Sequence, residues 1–304
     1  MTTQFTTLTQ FLRDLRPRNQ LILIAVTSAA LGIPVLRIAI EDYRGYIALG
    51  PGGPPHNVIG WFGQILLKPF KKEPFHTSCY DEKSFQKAGP NGSVAFLKEE
   101  DVPAREAPRP TVGSWTAPSR QLTDLASKDI IDSQRYQSFL SSLASESPSK
   151  LEIATSVVER HGQALFVASE KPSHPIAKSM YREIGHMHGS DGSMHLNLAP
   201  RDAKLVLERG WGQRHPLGGT ILYLGDVMVY APRNEEELEL GDVLVGVLML
   251  SITRATGYLI TESGGSYTLT ERQFATTESS LAQWKRAWGH VLLFKVMSNI
   301  LMIR

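Results

Sequence analysis

The sequence predicts an α+β fold: an antiparallel sheet with packed helices, preceded by an N-terminal transmembrane helix. Three observations carry that expectation. An uncharged run, LILIAVTSAALGIPVL, occupies residues 21–36. A segment of alternating polar and apolar residues flanks Asp191-Gly192. Around it, short strand-like runs are interspersed with helical patterns, and no internal repeat appears.

Composition removes several classes of function. The net charge is +2 and no basic stripe is interleaved with aromatics, so there is no nucleic-acid footprint. A single cysteine, Cys79, permits neither an intrachain disulfide nor a cysteine-based metal motif. With 304 residues, 42% of them hydrophobic, the chain holds one large domain or two small ones.

Residues 1–45 read as a single-pass membrane anchor, placing the protein on an endomembrane. The apolar run continues past Arg37 into Ile38, Ala39 and Ile40, which reaches the roughly 20 residues that span a bilayer. Arg37 sits near an end, where a long basic side chain snorkels to the interface. A cleaved signal peptide, with small residues at Ser28, Ala29 and Ala30, and a buried core helix are the alternatives. Arg13, Arg16 and Arg18 precede the run while Arg37 and Arg44 follow it, so the positive-inside rule leaves orientation open.

Residues 46–120 read as an interfacial segment and a linker. The breaker GPGGPP at 50–55 is followed by VIGWFGQILLKPF at 58–70 and by Lys71 and Lys72. That composition suits a helix in a membrane interface or one packed on the domain. Residues 81–120, with Pro103, Pro108, Pro110 and Pro118, suit an extended linker or a wrapping arm. Asn91-Gly92-Ser93 is a glycosylation sequon.

Residues 121–257 carry the domain proper. One or two helices are expected over 121–143, strands over 151–158 and 164–168, and a short helix over 176–182. A further helix is expected over 203–209, begun by Asp202 or a neighbour and stopped at Gly210. Residues 221–230 read as strands broken at Gly225-Asp226. Asn234 and Glu237 form a capping-box pattern before a buried helix running through 243–250. In the tail, 258–304, Trp284, Trp288 and Leu292 share a helical face. Its apolar stretch 291–303 is too short to span a bilayer, which leaves an interfacial or core-docking helix.

The chemistry concentrates in GHMHGSDGSMHLNL, residues 185–198, which hold three of the nine histidines. A two-residue turn at Asp191-Gly192 pairs His188 with His195 and His186 with Asn197. Alternation then puts His186, His188, His195 and Asn197 on one face, and Met187, Met194, Leu196 and Leu198 on the other. An imidazole-rich face of this kind suits metal binding or acid–base chemistry.

The strings REIGHMHGSDGSMHLNL (182–198), DAKLVLERGWGQRHPL (202–217) and YAPRNEEE (230–237), together with EDYRGY (41–46), resemble the fungal luciferase family over about residues 20–255. The resemblance implies oxidation of a hydroxylated styryl-pyrone, 3-hydroxyhispidin, by dioxygen. A cyclic peroxide then loses carbon dioxide and leaves an excited product. It implies a small aromatic substrate from secondary metabolism, O2 as co-substrate, and no flavin or metal, and many members are not known to emit light.

Under that chemistry a histidine base makes the substrate enolate, with His186, His188, His195 and His215 as candidates. Trp211 is expected to stack on the substrate or to serve as plain core. Arg214 and Asn197 are expected at the substrate, and Arg233 either pairs an oxyanion or anchors the next helix. Two other readings compete. The four histidines could be metal ligands, although no carboxylate follows at cupin spacing. The protein could instead be a non-catalytic, membrane-tethered binder of aromatic or lipid-like molecules.

Overall fold

Pro17–Ala48 form one helix, α1, of 32 residues in the computed structural model, with proline in its first turn, where the missing N–H costs nothing. The structure describes residues 16–238 apart from 90–91, 133–134, 147, 169–174 and 235–236. Arg13, Asn91 of the sequon, the expected helix through 243–250 and the tail with Trp284, Trp288 and Leu292 lie outside the described residues. At 1.5 Å per residue α1 is about 48 Å long. Leu21, Ile24, Leu31, Ile33, Val35 and Ile38 are exposed along it. By length and composition it is able to cross a membrane.

The helix does not stop where the anchor was expected to end. Its last turns dock on the rest of the protein. Trp61 Nε1 donates to Asp42 at 2.6 Å and the Tyr46 hydroxyl donates to the Pro55 carbonyl at 2.9 Å. Trp115 packs so close that a Cβ on Gly45 would lie 2.6 Å from its ring. Helix α2, Val58–Leu67, is capped by Asn57, whose side chain accepts from the Ile59 and Gly60 amides. It buries Gly60 and Gln64 but leaves Val58, Ile59, Phe62 and Leu66 exposed.

The segment after α2 is a wrapping arm. The Lys72 amide donates to the Pro216 carbonyl at 2.8 Å, Arg214 to Pro74 at 3.0 Å and Arg105 to Arg209 at 2.8 Å. Within the arm, Asp81 caps α3 (Glu82–Lys87). Further on, the Phe96 and Leu97 amides both donate to Asp202 at 3.0 Å. Asp202 therefore holds the arm, while the Ala199–Pro200 step opens the helix it was expected to start.

The sheet follows α4 (Lys128–Asp132) and α5 (Arg135–Glu146). Its strands are β1 Leu151–Thr155, β2 Gln163–Val167, β3 Glu183–Met187, β4 Met194–Asn197, β5 Gly212–Arg214 and β6 Asp226–Val229. Helix α6 (Pro175–Ser179) precedes β3 and α7 (Pro200–Glu208) follows β4. The spatial order is β1-β2-β3-β4-β6-β5, and each paired neighbour is antiparallel. One face, with Leu165, Ile184, Met194, Leu196, Val227 and Val229, shares a core with Leu140 of α5, Val206 and Leu207 of α7, and Leu97 and Val102 of the arm.

Two details of the sheet correct the expected geometry. His186 pairs with His195 and Met187 with Met194, and the His188 amide donates to the Ser193 carbonyl at 2.8 Å. The loop therefore spans 189–192, and only Gly192 in it takes a positive φ, 77°. Asp191 is the cause: its carboxylate accepts from the Ser193 and Gln121 amides, each at 2.9 Å, and so organises a longer turn. Because the slip is two residues, the division of faces survives. The second detail is a bulge, since Leu165 pairs with Gly185 but Phe166 pairs with Glu183. The extra residue, Ile184, stays in the core.

At the far edge, the capping box forms only in part. The Glu237 amide donates to Asn234 Oδ1 at 2.9 Å, but the Glu237 carboxylate turns to Arg105 and Arg233. Burial opposes its charge, and the two guanidinium groups outweigh that and hold its pKa at about 2. A depressed carboxylate stabilises above its unfolded-state value and loses that contribution as pH falls toward the folded one. Glu237→Gln should therefore cost about 1–3 kcal/mol in urea denaturation at pH 6, through the unsatisfied arginines. The difference from wild type should shrink as pH falls from the ordinary carboxylate range toward 2.

Candidate functional site

The face opposite the core gathers four imidazoles. Ring centroids are 5.3 Å apart for His186 and His188, 5.4 Å for His186 and His195, 4.9 Å for His188 and His195, and 5.1 Å for His195 and His215. All four are buried. β3 supplies His186 and, just past its end, His188; β4 supplies His195; His215 follows β5 and donates its amide to the Asp226 carbonyl at 2.9 Å.

Hydrogen bonds set the tautomer of each ring. Glu183 accepts from the Ser156 hydroxyl and the Val157 and Val158 amides, and it also takes the His186 Nδ1–H at 2.6 Å. The bulge is what turns Glu183 onto this face. Ser193 donates its hydroxyl proton to Asp191 at 2.8 Å, so it accepts from His188 Nδ1 at 2.9 Å. Asp226 accepts from His195 Nδ1 at 3.1 Å. In the neutral form of each of these rings Nε2 keeps its lone pair. His215 is reversed: its Nδ1 accepts from the Leu217 amide at 3.0 Å, which leaves the proton on Nε2.

The electrostatics agree with neutral rings at His188 and His215. Burial, reinforced by Arg120 and the neighbouring imidazoles, holds His188 well below the ordinary imidazole range. Burial pushes His215 down to about 4, against the pull of Asp226. Burial would raise Asp226, and the neighbouring imidazoles with the hydrogen bond from His195 more than offset that, leaving it below the usual carboxylate range.

A fifth residue faces this cluster. Glu159, in the turn after β1, is buried and pairs with the buried guanidinium of Arg120. Its Oε1 lies 3.8 Å from His186 Nε2 and 3.9 Å from His188 Nε2. Burial would raise its pKa, and the Arg120 hydrogen bond and charge more than offset that. Arg120 arrives on the wrapping arm and is fastened there by the Pro51 and Ser119 carbonyls, each at 3.0 Å.

The structure joins some of the expected site residues and separates others. His186, His188, His195 and His215 come together, and Asn197 joins the same region by donating to the Glu183 carbonyl at 3.1 Å. Trp211 is packed in the core, its indole N–H donating to the Pro103 carbonyl at 2.6 Å and the Arg105 guanidinium over its ring. Arg214 lies on the core side of β5, opposite Val227, with its guanidinium on Cys79 and the Glu73 carbonyl. Arg233 binds Glu237 and so anchors the segment that follows it. Glu159, Arg120 and Glu183 were missed from sequence. Only Glu183, three residues before His186, stood close enough to the motif to be found.

Glu183→Ala should destabilise the protein by about 3–5 kcal/mol in chemical denaturation, because it strands the Ser156 hydroxyl, two amides and the His186 Nδ1–H at once.

Comparison with known proteins gives the family. The chain is 31% identical to a luciferase of Neonothopanus nambi over 232 residues, which is 72% of this chain and 82% of that one. The chain belongs to the fungal luciferase family. The Luciferase domain model matches residues 181–247, which begin just before β3 and take in the hairpin, α7, β5 and β6. Luciferases of Armillaria gallica and Armillaria mellea are 29% and 28% identical, over 80% of this chain in each case and 88% and 90% of theirs. No solved structure matches the chain. Membership supports a luciferase-like activity of the oxidoreductase type.

Proposed function

We propose that this protein is a membrane-anchored, luciferase-like oxygenase that acts with O2 on a hydroxylated pyrone or related polyphenolic metabolite. The observation that carries the reading is the imidazole cluster: four buried rings on one sheet face, three with Nδ1 committed and Nε2 available. Burying so many polar rings is costly, and nothing in the core requires it.

An electron-rich enol reacts with dioxygen as its anion. The His195–Asp226 pair suits removal of the enol proton: Asp226 orients the ring and stabilises the imidazolium, while Nε2 takes the proton. His215 holds its proton on Nε2 and is a donor for the developing oxyanion. The substrate-derived peroxide then closes to a cyclic peroxide and loses carbon dioxide. Helix α1 holds the domain at a bilayer, and the exposed apolar side of α2, with Phe62 and Leu66, lies along the interface.

The decisive measurement is oxygen uptake by the full chain in detergent with 3-hydroxyhispidin while photons are counted. Uptake is expected to saturate, and His195→Gln should lower kcat by about 10²–10⁴ while substrate affinity survives. Saturable binding without oxygen consumption would instead make the protein a binder. In cells, the full chain should resist extraction by alkaline carbonate; release into the soluble fraction would remove the anchor.

A further inference from the structure

The His186 and His188 Nε2 atoms are buried with no hydrogen-bond partner, although every other demand of the two rings is met. Together with Glu159 Oε1 they lie within 4.8 Å of one another. We propose that Glu159, His186 and His188 bind one divalent first-row transition ion of the iron-to-zinc class, through Glu159 Oε1 and the two Nε2 atoms.

The hydrogen-bond inventory carries the argument. Glu183 takes the Nδ1–H of His186, and Ser193 takes that of His188, so each ring directs a lone pair at Glu159. Three acceptors therefore converge on one point. A water can donate to the two Nε2 atoms, and a proton on one ring satisfies a single pair, but neither draws all three groups together. A cation satisfies all three. Two imidazoles and one carboxylate are the donor set that non-haem ferrous sites use, and zinc accepts it as well.

The surroundings fit a metal ion. Nδ1 of a ligating histidine is usually held by a carboxylate or a comparable acceptor, which fixes the ring and raises its basicity. His186 has Glu183 in that position, and His188 has Ser193 backed by Asp191. These carboxylates also lie behind the rings as counter-charge to a dication. Arg120 restrains Glu159 through Oε2 and reaches Oε1 only at 3.3 Å, leaving the inward lone pair of Oε1 free. Ligands about 2.1 Å from an ion sit roughly 3.0–3.5 Å from one another. The separations of 3.8 and 3.9 Å need a contraction of less than an ångström. His215 is not a ligand in this arrangement because its Nε2 carries a proton, and His195 remains beside the ion with its own lone pair.

Metal binding stands on this geometry alone. Its participation in oxygenation, as a Lewis acid that holds the substrate enolate beside His195, rests on the function proposed above.

The test uses the full chain in detergent, stripped with a chelator and dialysed against Co²⁺. One equivalent per chain is expected by elemental analysis, with visible ligand-field absorption. His186→Gln and His188→Gln each remove one ligand without stranding Arg120, and both should abolish stoichiometric binding while keeping wild-type circular dichroism. Glu183→Gln should weaken Co²⁺ binding about 10–100-fold by loosening His186. No bound Co²⁺ in the wild type, or undiminished binding in both glutamine variants, overturns the site. Oxygen uptake separates the two readings: stoichiometric Co²⁺ with uptake that survives metal removal keeps the site and removes its catalytic role. Absence of uptake by the protein as isolated, before stripping, beside stoichiometric Co²⁺ binding afterwards removes the oxygenase reading and leaves the site intact.

Discussion

Burial of polar rings is the constraint around which this structure is organised. An imidazole withdrawn from water must place its N–H somewhere, and four of them on one sheet face multiply the demand. The protein meets it from outside the cluster. Glu183, Asp191 through Ser193, and Asp226 receive the Nδ1–H of one ring each, and the fourth ring accepts at Nδ1 from the Leu217 amide. These acceptors come from a bulge, a loop and a strand end, the irregular parts of the sheet. The regular ladder positions the rings, and its exceptions set their protonation.

The second dependence is the buried pair between Arg120 and Glu159. Replacing a buried ion pair by apolar groups is often harmless, whereas removing one partner is costly. Here the pair joins two distant pieces of chain, the arm and the turn after β1, and it brings a further carboxylate to the histidine face. Arg120 is held in turn by Pro51 and Ser119, so the breaker after α1 contributes to the site. The stretch between α1 and α2 thus takes part in holding this face together.

Much of this was legible in the sequence. The alternation around Asp191-Gly192 predicted the two faces, and it survived an error in register because that error was an even number of residues. The long apolar run announced α1, and Asn234 announced its cap. What escaped was anything set by tertiary contact. Asp191 reads as a turn residue because it occupies one, yet its carboxylate is occupied by Gln121, seventy positions away. Asp202 reads as a helix start and serves the arm. Trp211 and Arg214 sit in the most distinctive string of the chain, but they serve the packing of the strand that delivers His215. Glu159 has no spacing that ties it to the histidines, and only the fold brings it there.

The bulge in β3 places an unusual restriction on this chain. With Ile184 as the additional residue, Glu183 and His186 look to the same side although they are three positions apart. Three positions is an odd spacing, so straightening the bulge at this length would drive an acidic side chain into the apolar layer. A spacing of two or of four would keep both side chains on this face without a bulge. The shared face of Glu183 and His186 therefore depends on a backbone irregularity as well as on the identity of the two residues. Beside it, Gly185 is restricted in its own right, because a Cβ there would meet the His195 carbonyl at 2.5 Å.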